Sequence, residues 1–249
     1  MSLAKFYDSQ SQKDHYLLRS RPTLINRTGL KSLVAFDDRF QVVTDLLNRD
    51  IKTGFKVLDY GCGDGVYESL LSKKTSISSK FYAVDISGEQ LKKAKDLFFE
   101  TSLISEDNPK TKYPDGYFDL IICSEVLEHV FSPENIISEL HRVLKIGGIL
   151  ILTVPNYGSL QIRLSSLFTG RSPMVNYPRN LEHIRFYSVD DIKQLISKYF
   201  KVSQIKGIGS LLFAKWNFPI HFPMPRFLQQ ISNFLLPGLA NGLLFVLRK

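Results

Sequence analysis

Three glycines and two acidic residues lie close together in the stretch from Lys56 to Gly65, which reads KVLDYGCGDG. The apolar pair before Asp59 predicts a buried strand, and the glycines predict a sharp turn into a helix, as at the nucleotide-binding crevice of an α/β sheet. The dinucleotide spacing G-x-G-x-x-G fails because Val66 occupies the place of its third glycine. Asp59 and Asp64 would also repel a pyrophosphate. The turn therefore favours a cationic ligand, and an ordinary strand-to-helix turn is the alternative.

A second set of reactive side chains follows the apolar stretch FDLIIC, in the letters SEVLEHV. On a helix, Glu125, Glu128 and His129 would share one face because they stand at i, i+3 and i+4. His183 comes later, just before a predicted helix. Two carboxylates and two imidazoles at the carboxyl end of a strand are suited to a divalent metal. Without a metal, His129 or His183 is a candidate general base or a group that positions an acceptor.

Strands that alternate with helices must position these residues. From Lys56 to Val154 the apolar runs and helical periods alternate, which predicts an α/β fold with a doubly wound, mostly parallel sheet. Capping signals at Ser87 and Ser188 predict the starts of two helices. The predicted strands after the glycine turn are 80–84, 99–103, 118–123, 149–154, 201–208 and 242–248, and a helix is predicted at 32–48.

The length of 249 residues suits one domain with appendages. We predict an N-terminal lid or cap segment at 1–31 and a domain at 32–249, with insertions on the acceptor side at about 157–180 and 210–240. The first 30 residues have no apolar core of a secretory signal, and no clean membrane-spanning helix is predicted. Cys62 and Cys123 are expected to be buried thiols in a reducing compartment. A cytoplasmic protein is the resulting expectation.

The net charge of +8 and the pI of about 9.3 favour acidic partners such as nucleic acid or anionic lipid headgroups. The lysines are scattered, however, and no RNA-binding module is recognisable. The aromatic-rich stretch 210–240 contains Trp216, Lys215 and Arg226, and it is a candidate for peripheral contact with a membrane surface. A small satellite core is its other interpretation.

The order of the motifs over 56–197 resembles that of class I S-adenosylmethionine-dependent methyltransferases. The glycine turn, the acid after the second strand, FDLIICSEVLEHV, GGILILTVPN and HIRFYS carry this resemblance. It implies a Rossmann-like class I methyltransferase fold that ends in an antiparallel strand pair. It also implies S-adenosylmethionine as cofactor and S-adenosylhomocysteine as product. The Glu-x-x-Glu-His group with a later histidine is similar to two metal-assisted groups, the ubiquinone-pathway O-methyltransferases and the small-RNA terminal 2′-O-methyltransferases.

The resemblance also assigns roles to individual residues. The methionine end of the cofactor is expected at the glycine turn, the ribose hydroxyls at the second strand's acid, and the adenine about twelve residues before the acid of FDLIIC. The metal ligands would be Glu125, Glu128, His129 and His183, with magnesium or manganese as the ion. The expected cofactor-binding residues are Asp59, Gly61, Gly63, Asp85, Ile86, Asp107, Asn108, Ser124 and Glu125.

The predicted activity is transfer of a methyl group from S-adenosylmethionine to a small-molecule acceptor, most simply to an oxygen of a sugar or a quinone-like phenol. Two alternatives stay open at this point. One is metal-assisted 2′-O-methylation of an RNA terminus, which the basic pI favours. The other is a non-catalytic homologue that binds the cofactor or a partner.

Overall fold

The computed structural model describes residues 39–72, 78–170, 183–209 and 226–249. The predicted lid at 1–31 lies outside these residues, as do parts of both predicted insertions and the beginning of the helix predicted at 32–48. The described residues form a seven-stranded sheet with helices on both faces.

The sheet has the strand order β3-β2-β1-β4-β5-β7-β6. All neighbouring strands run parallel except β7, which is antiparallel to both β5 and β6. This confirms the predicted α/β fold, with its mostly parallel sheet and antiparallel end. The strands are β1 (Lys56–Tyr60), β2 (Lys80–Asp85), β3 (Glu100–Leu103), β4 (Phe118–Ser124), β5 (Leu144–Pro155), β6 (Lys201–Ile208) and β7 (Gly242–Arg248).

Seven α-helices accompany these strands in the described residues. Ser188 begins α6 with the predicted capping box, in which its hydroxyl accepts from Asp191 N and the Asp191 carboxylate accepts from Ser188 N. The Lys249 ammonium donates to carbonyl oxygens at the end of α4, at 2.6 Å from His141 O and 2.8 Å from Leu144 O. The helices are α1 (Arg39–Asp50), α2 (Val66–Ser72), α3 (Gly88–Ala94), α4 (Pro133–Val143), α5 (Leu160–Thr169), α6 (Val189–Ile196) and α7 (Arg226–Leu235).

The core lies on both faces of the sheet because the central strands are buried on both sides. Successive residues of β1 show this, since Val57 packs on the face covered by α1 and α2, and Leu58 packs on the face covered by α4 and α6. Both free cysteines, Cys62 and Cys123, are buried as predicted.

The carboxyl ends of β2, β1 and β4 lie side by side at one edge. Tyr60, the last residue of β1, is in register with Val84 on one side and with Cys123 on the other. After β1 the chain adds β2 and β3 on one side of it, and then continues with β4 on the other side. The strand order therefore reverses between β1 and β4. Ligands of open α/β sheets bind at such a reversal.

Candidate active site

The glycine turn after β1 has one side that is packed and one that is open. Gly61, Gly63 and Gly65 have φ values of +78°, +53° and +76°, a region that side chains disfavour. A Cβ built on Gly61 would lie 2.4 Å from Cγ2 of Val126, whereas one built on Gly63 meets no atom of the described residues within 4 Å. The Gly63 side of the turn therefore offers space for a ligand.

Asp85 holds this turn in place from the end of β2. Its two carboxylate oxygens accept from the N–H groups of Gly63 and Ser87, each at 2.8 Å. Ile86, the next residue, is half-buried. A carboxylate oxygen has more than one lone pair, so these bonds still allow Asp85 to accept from a hydroxyl of a ligand. Its predicted role at the ribose remains a prediction, and its role in shaping the turn is an additional one.

A pair of buried carboxyl groups underlies the turn. Asp59, at the carboxyl end of β1, is 1% exposed, and Glu68, in the first turn of α2, is 3% exposed. Burial raises the pKa of Glu68 to about 7. Burial, and then the charges of Glu68 and Asp85, hold the pKa of Asp59 well above its ordinary value. Glu68 was missed by the sequence prediction, although its position three residues before the buried Leu71 places it on the apolar face of α2.

The residues after β4 do not form the helix on which a shared face of Glu125, Glu128 and His129 depended. Glu125 has a φ of +56°, so the chain turns there, and only Leu127–His129 forms a short 3-10 turn. Glu125 forms an ion pair with Arg39 of α1 and accepts from Thr153 Oγ1 at 3.2 Å. The i, i+3, i+4 face expected for Glu125, Glu128 and His129 is therefore absent, because a residue with left-handed φ interrupts helical geometry.

A chain of three hydroxyl groups connects α2, β4 and β5 at the carboxyl edge of the sheet. Ser124 Oγ lies 2.7 Å from the Tyr67 hydroxyl of α2 and 2.8 Å from Thr153 Oγ1 of β5. Val126, two residues further on, packs against Gly61. Through these contacts the loop after β4 lies directly against the glycine turn.

The two predicted histidines come together around Glu128. His129 Nε2 and His183 Nε2 lie 3.7 and 4.0 Å from Oε1 of Glu128, whose side chain is fully buried. The imidazole rings meet edge to face at 4.7 Å between centroids. The Tyr157 hydroxyl lies 2.9 Å from His183 Nδ1, which leaves Nε2 turned to the carboxylate. The sequence did not indicate Tyr157, since its partner is 26 residues away.

Backbone contacts between two loops create this cluster. The carbonyl oxygen of Glu128 accepts from Ile184 N at 2.9 Å and from Arg185 N at 3.1 Å. The Arg185 guanidinium donates to the carbonyl oxygens of Val130 and Phe131. These bonds fix the segment after residue 182 on the loop after β4, and so they bring His183 to His129.

A divalent metal fits part of the predicted ligand set. Within the described ranges, Glu128, His129 and His183 form one group whose ligand atoms all lie within 4.8 Å of one another. Adjacent ligand atoms bound to one ion at about 2.1 Å lie about 3.0–3.4 Å apart, so these three side chains would have to move closer together to hold it. Glu125 is not in this group, because it is held by Arg39 and Thr153.

The predicted adenine contacts lie on an exposed loop after β3. Asp107 and Asn108 are both exposed, and Asn108 Oδ1 accepts from Lys110 N at 3.3 Å in a local turn. Tyr60, which ends β1, donates its hydroxyl to Pro109 O at 2.9 Å and so attaches this loop to the central strand. The adenine role of Asp107 and Asn108 remains a prediction.

The two predicted insertions are described only in part, by α5 and by α7 with the turn after it. Both helices expose large apolar side chains, which are Leu167 and Phe168 on α5, and Ile231, Phe234 and Leu235 on α7. None of the described helices has the length and apolar character needed to cross a bilayer. Trp216 and Lys215 of the predicted membrane contact lie outside the described residues.

Comparison with known proteins places this geometry among methyl-transferring proteins. A sequence model described as a methyltransferase domain matches residues 35–199. A ubiquinone biosynthesis O-methyltransferase of Thiobacillus denitrificans is 31% identical over 41% of this chain and 45% of its own length. A sterol 24-C-methyltransferase of Gibberella zeae is 27% identical over 76% of this chain and 50% of its own. The chain thus spans about half the length of these relatives, which differ in the atom that their names specify.

Solved structures agree on the fold. A SAM-dependent methyltransferase from Archaeoglobus fulgidus superposes with a TM-score of 0.58 at 19% identity, over 84% of this chain and 94% of its own. A TehB-like SAM-dependent methyltransferase from Corynebacterium glutamicum gives a TM-score of 0.57 at 14% identity, over 98% of both chains. At these identities the likeness concerns the architecture alone.

Proposed function

The chain belongs to the methyltransferase-domain family, and from that premise we propose that it transfers the methyl group of S-adenosylmethionine to an oxygen of a small molecule. The histidine cluster carries the proposal, because it lies on the loop whose Val126 packs against the glycine turn. The acceptor class is a sugar or a quinone-like phenol.

Two features support S-adenosylmethionine as the methyl donor. The open side of Gly63 leaves room for the ligand at the reversal of the strand order. The carboxyl groups of Asp59, Glu68 and Asp85 make the turn acidic. A ligand with an ammonium and a sulfonium group is attracted to such a site, whereas a phosphate chain is repelled.

The histidine cluster is suited to accept the proton of an acceptor hydroxyl. S-adenosylmethionine supplies an already activated methyl group, so the protein has to align the nucleophile and remove its proton. A neutral imidazole of His129 or His183 can take that proton. The buried carboxylate of Glu128, at 3.7 and 4.0 Å, then stabilises the imidazolium. Tyr157 orients the His183 ring through its bond to Nδ1.

A divalent ion at the same cluster is the second arrangement under this proposal. Glu128, His129 and His183 would hold it, and it would lower the pKa of the acceptor hydroxyl in place of a histidine base. The two arrangements predict opposite responses to a chelator. Loss of activity with EDTA and its return with magnesium or manganese would support the ion, and indifference to EDTA would support the base.

The test is a panel of hydroxylated acceptors assayed by release of S-adenosylhomocysteine. We expect turnover with phenolic or sugar acceptors, and a loss of about 10²–10⁴-fold in kcat in whichever of His129→Gln and His183→Gln removes the base. His141→Gln is the matched control, because His141 packs against Tyr199 and Phe200 away from the cluster. Activity of both cluster variants equal to that of His141→Gln would contradict the role of the cluster. Turnover with nitrogen or carbon acceptors alone would contradict oxygen as the acceptor atom.

The basic charge of the chain favours one other acceptor, an RNA hydroxyl. Filter binding of RNA at graded salt, followed by methyl transfer to an RNA with a free terminal 2′-hydroxyl, distinguishes it from the small-molecule reaction. Periodate-oxidised RNA, which lacks that hydroxyl, is the control substrate. Absence of transfer to any acceptor, with intact cofactor binding, would favour a non-catalytic homologue.

A further inference from the structure

Glu68 and Asp59 form a buried carboxyl pair in which three of the four oxygens have no hydrogen-bond partner among the described residues. Neither oxygen of Glu68 has a hydrogen-bond partner there, and neither has Oδ2 of Asp59. Both side chains are more than nine-tenths buried. Two such groups cannot both stay ionised at low cost, because each is desolvated and each repels the other. A single proton between them supplies the missing donor and removes one of the two charges.

The surroundings of the pair add negative charge and little positive charge. Asp85 of β2 faces Asp59, and the thiols of Cys62 and Cys123 have pKa values raised by burial and then by nearby carboxylates. Among the residues that the structure describes, the cation on this side is Arg39 of α1, which acts on the neighbouring Tyr67 hydroxyl but is engaged in its ion pair with Glu125. The Tyr67 hydroxyl itself is bonded to Ser124. A cationic ligand in the turn would supply positive charge to balance the negative charge of these residues.

We propose that Glu68 is a positioning residue for the methyl donor, and that the Asp59–Glu68 pair holds one shared proton in the empty protein and releases it when the cationic donor binds. The balance is simple, since the pair changes from one negative charge to two as the positive ligand arrives and one proton leaves to solvent. This inference rests on the proposed use of S-adenosylmethionine. To the proposed function it adds one residue, Glu68, and one proton, neither of which is part of the cofactor-binding motif.

The direction of the pH dependence follows from this exchange. Below the range in which the pair titrates, binding must expel a proton, so the affinity for S-adenosylmethionine rises with pH. The rise is at most tenfold per pH unit for one proton, and it ends once the pair is already ionised. The last proton of the pair is the one that Asp59 holds, since its pKa is raised well above its ordinary value, so the rise should extend through neutral pH and beyond the pH at which Glu68 titrates.

Calorimetry in buffers of different ionisation enthalpy measures the released proton directly. We expect wild-type protein to release roughly one proton per bound S-adenosylmethionine near neutral pH, and fewer as the pH rises through the range in which Asp59 titrates. Glu68→Gln keeps the shape of the side chain and gives Asp59 a permanent donor, so its binding should release no proton and its affinity should be flat with pH. Glu134→Gln makes the same change at an exposed site and should behave as wild type.

The outcomes separate this inference from the function on which it rests. An equal loss of affinity at every pH in Glu68→Gln, with proton release unchanged, would reduce Glu68 to a structural role and overturn the inference. A wild-type protein that does not bind S-adenosylmethionine would overturn the proposed function, and the coupling with it. Carbon-13 NMR titration of the empty protein, comparing wild type with Glu68→Gln, tests the shared proton without any cofactor. Ordinary carboxyl titration near pH 4.5 in wild type would overturn it as well.

Discussion

Two glycines that lie two residues apart in the same turn should respond to alanine in different ways. Both have positive φ, so each alanine costs about 1–2 kcal/mol of backbone strain and regains about 0.4–1 kcal/mol from the less flexible unfolded chain. These two contributions are the same for Gly61→Ala and Gly63→Ala. Gly61→Ala also forces a methyl group to within 2.4 Å of Val126 Cγ2, an overpacking that costs about 1–3 kcal/mol more. Gly63→Ala has no such contact and should remain the more stable variant.

For ligand binding we expect the opposite order, with Gly63→Ala as the more impaired variant. The methyl group of Gly63→Ala enters the open side of the turn, so we expect S-adenosylmethionine affinity to fall at least about tenfold, or about 1.4 kcal/mol. Urea denaturation gives the stabilities and calorimetry gives the affinities. Val126→Ala is the internal control, since removing Cγ2 relieves the overpacking of Gly61→Ala and should narrow the stability difference between the two glycine variants in that background. Equal stabilities of the two glycine variants, or full affinity in Gly63→Ala, would refute the assignment of packed and open sides.

Three further predictions follow from individual contacts. Asp85→Ala leaves two backbone N–H groups without their acceptor, so it should lower S-adenosylmethionine affinity and also cost about 1–3 kcal/mol in urea denaturation; unchanged affinity by calorimetry would contradict its place in the site. Tyr157→Phe removes the bond to His183 Nδ1 and should shift the pH–rate profile of methyl transfer without changing the affinity for S-adenosylmethionine; an unmoved profile would refute that role. Lys249→Ala should lower the free energy of unfolding by about 1–2 kcal/mol, measured by urea denaturation, because the carbonyls at the end of α4 lose a charged donor. Lys249→Arg should recover part of this loss. An alanine variant as stable as wild type would contradict the role of Lys249 at the end of α4.

The regular part of the fold could be predicted because its signals are local. Fully buried strands are continuous apolar runs, and the predicted 118–123, 201–208 and 242–248 agree with the observed β4, β6 and β7 to within one residue. The capping box at Ser188 is equally local, since its partner is three residues away. The mostly parallel sheet follows from the alternation of such signals.

The site was only partly predictable because its contacts join distant parts of the chain. His129 and His183 were found from their residue types, but the contacts that unite them run through Arg185, whose partners lie more than 50 residues away. The expected face that included Glu125 depended on helical spacing. An i, i+3 pattern does not reveal that Glu125 itself has a left-handed φ. Glu68 was not singled out from the sequence, and its pairing with Asp59 joins a helix to a strand, a contact that no local pattern specifies.

The insertion of β7 between β5 and β6 has a consequence for how the chain is made. β7 is synthesised after both of its neighbours, and within the described ranges β6 pairs with β7 alone. A nascent polypeptide that has left the ribosome as far as α7 still has an open edge on β5 and a detached β6, both available for mispairing with other chains. The pairing of β7 with β5 spans about a hundred residues, so it is a late event whose loop-closure entropy slows folding. Assembly of the sheet thus ends with residues 242–248, and chaperone binding should be most valuable just before they emerge.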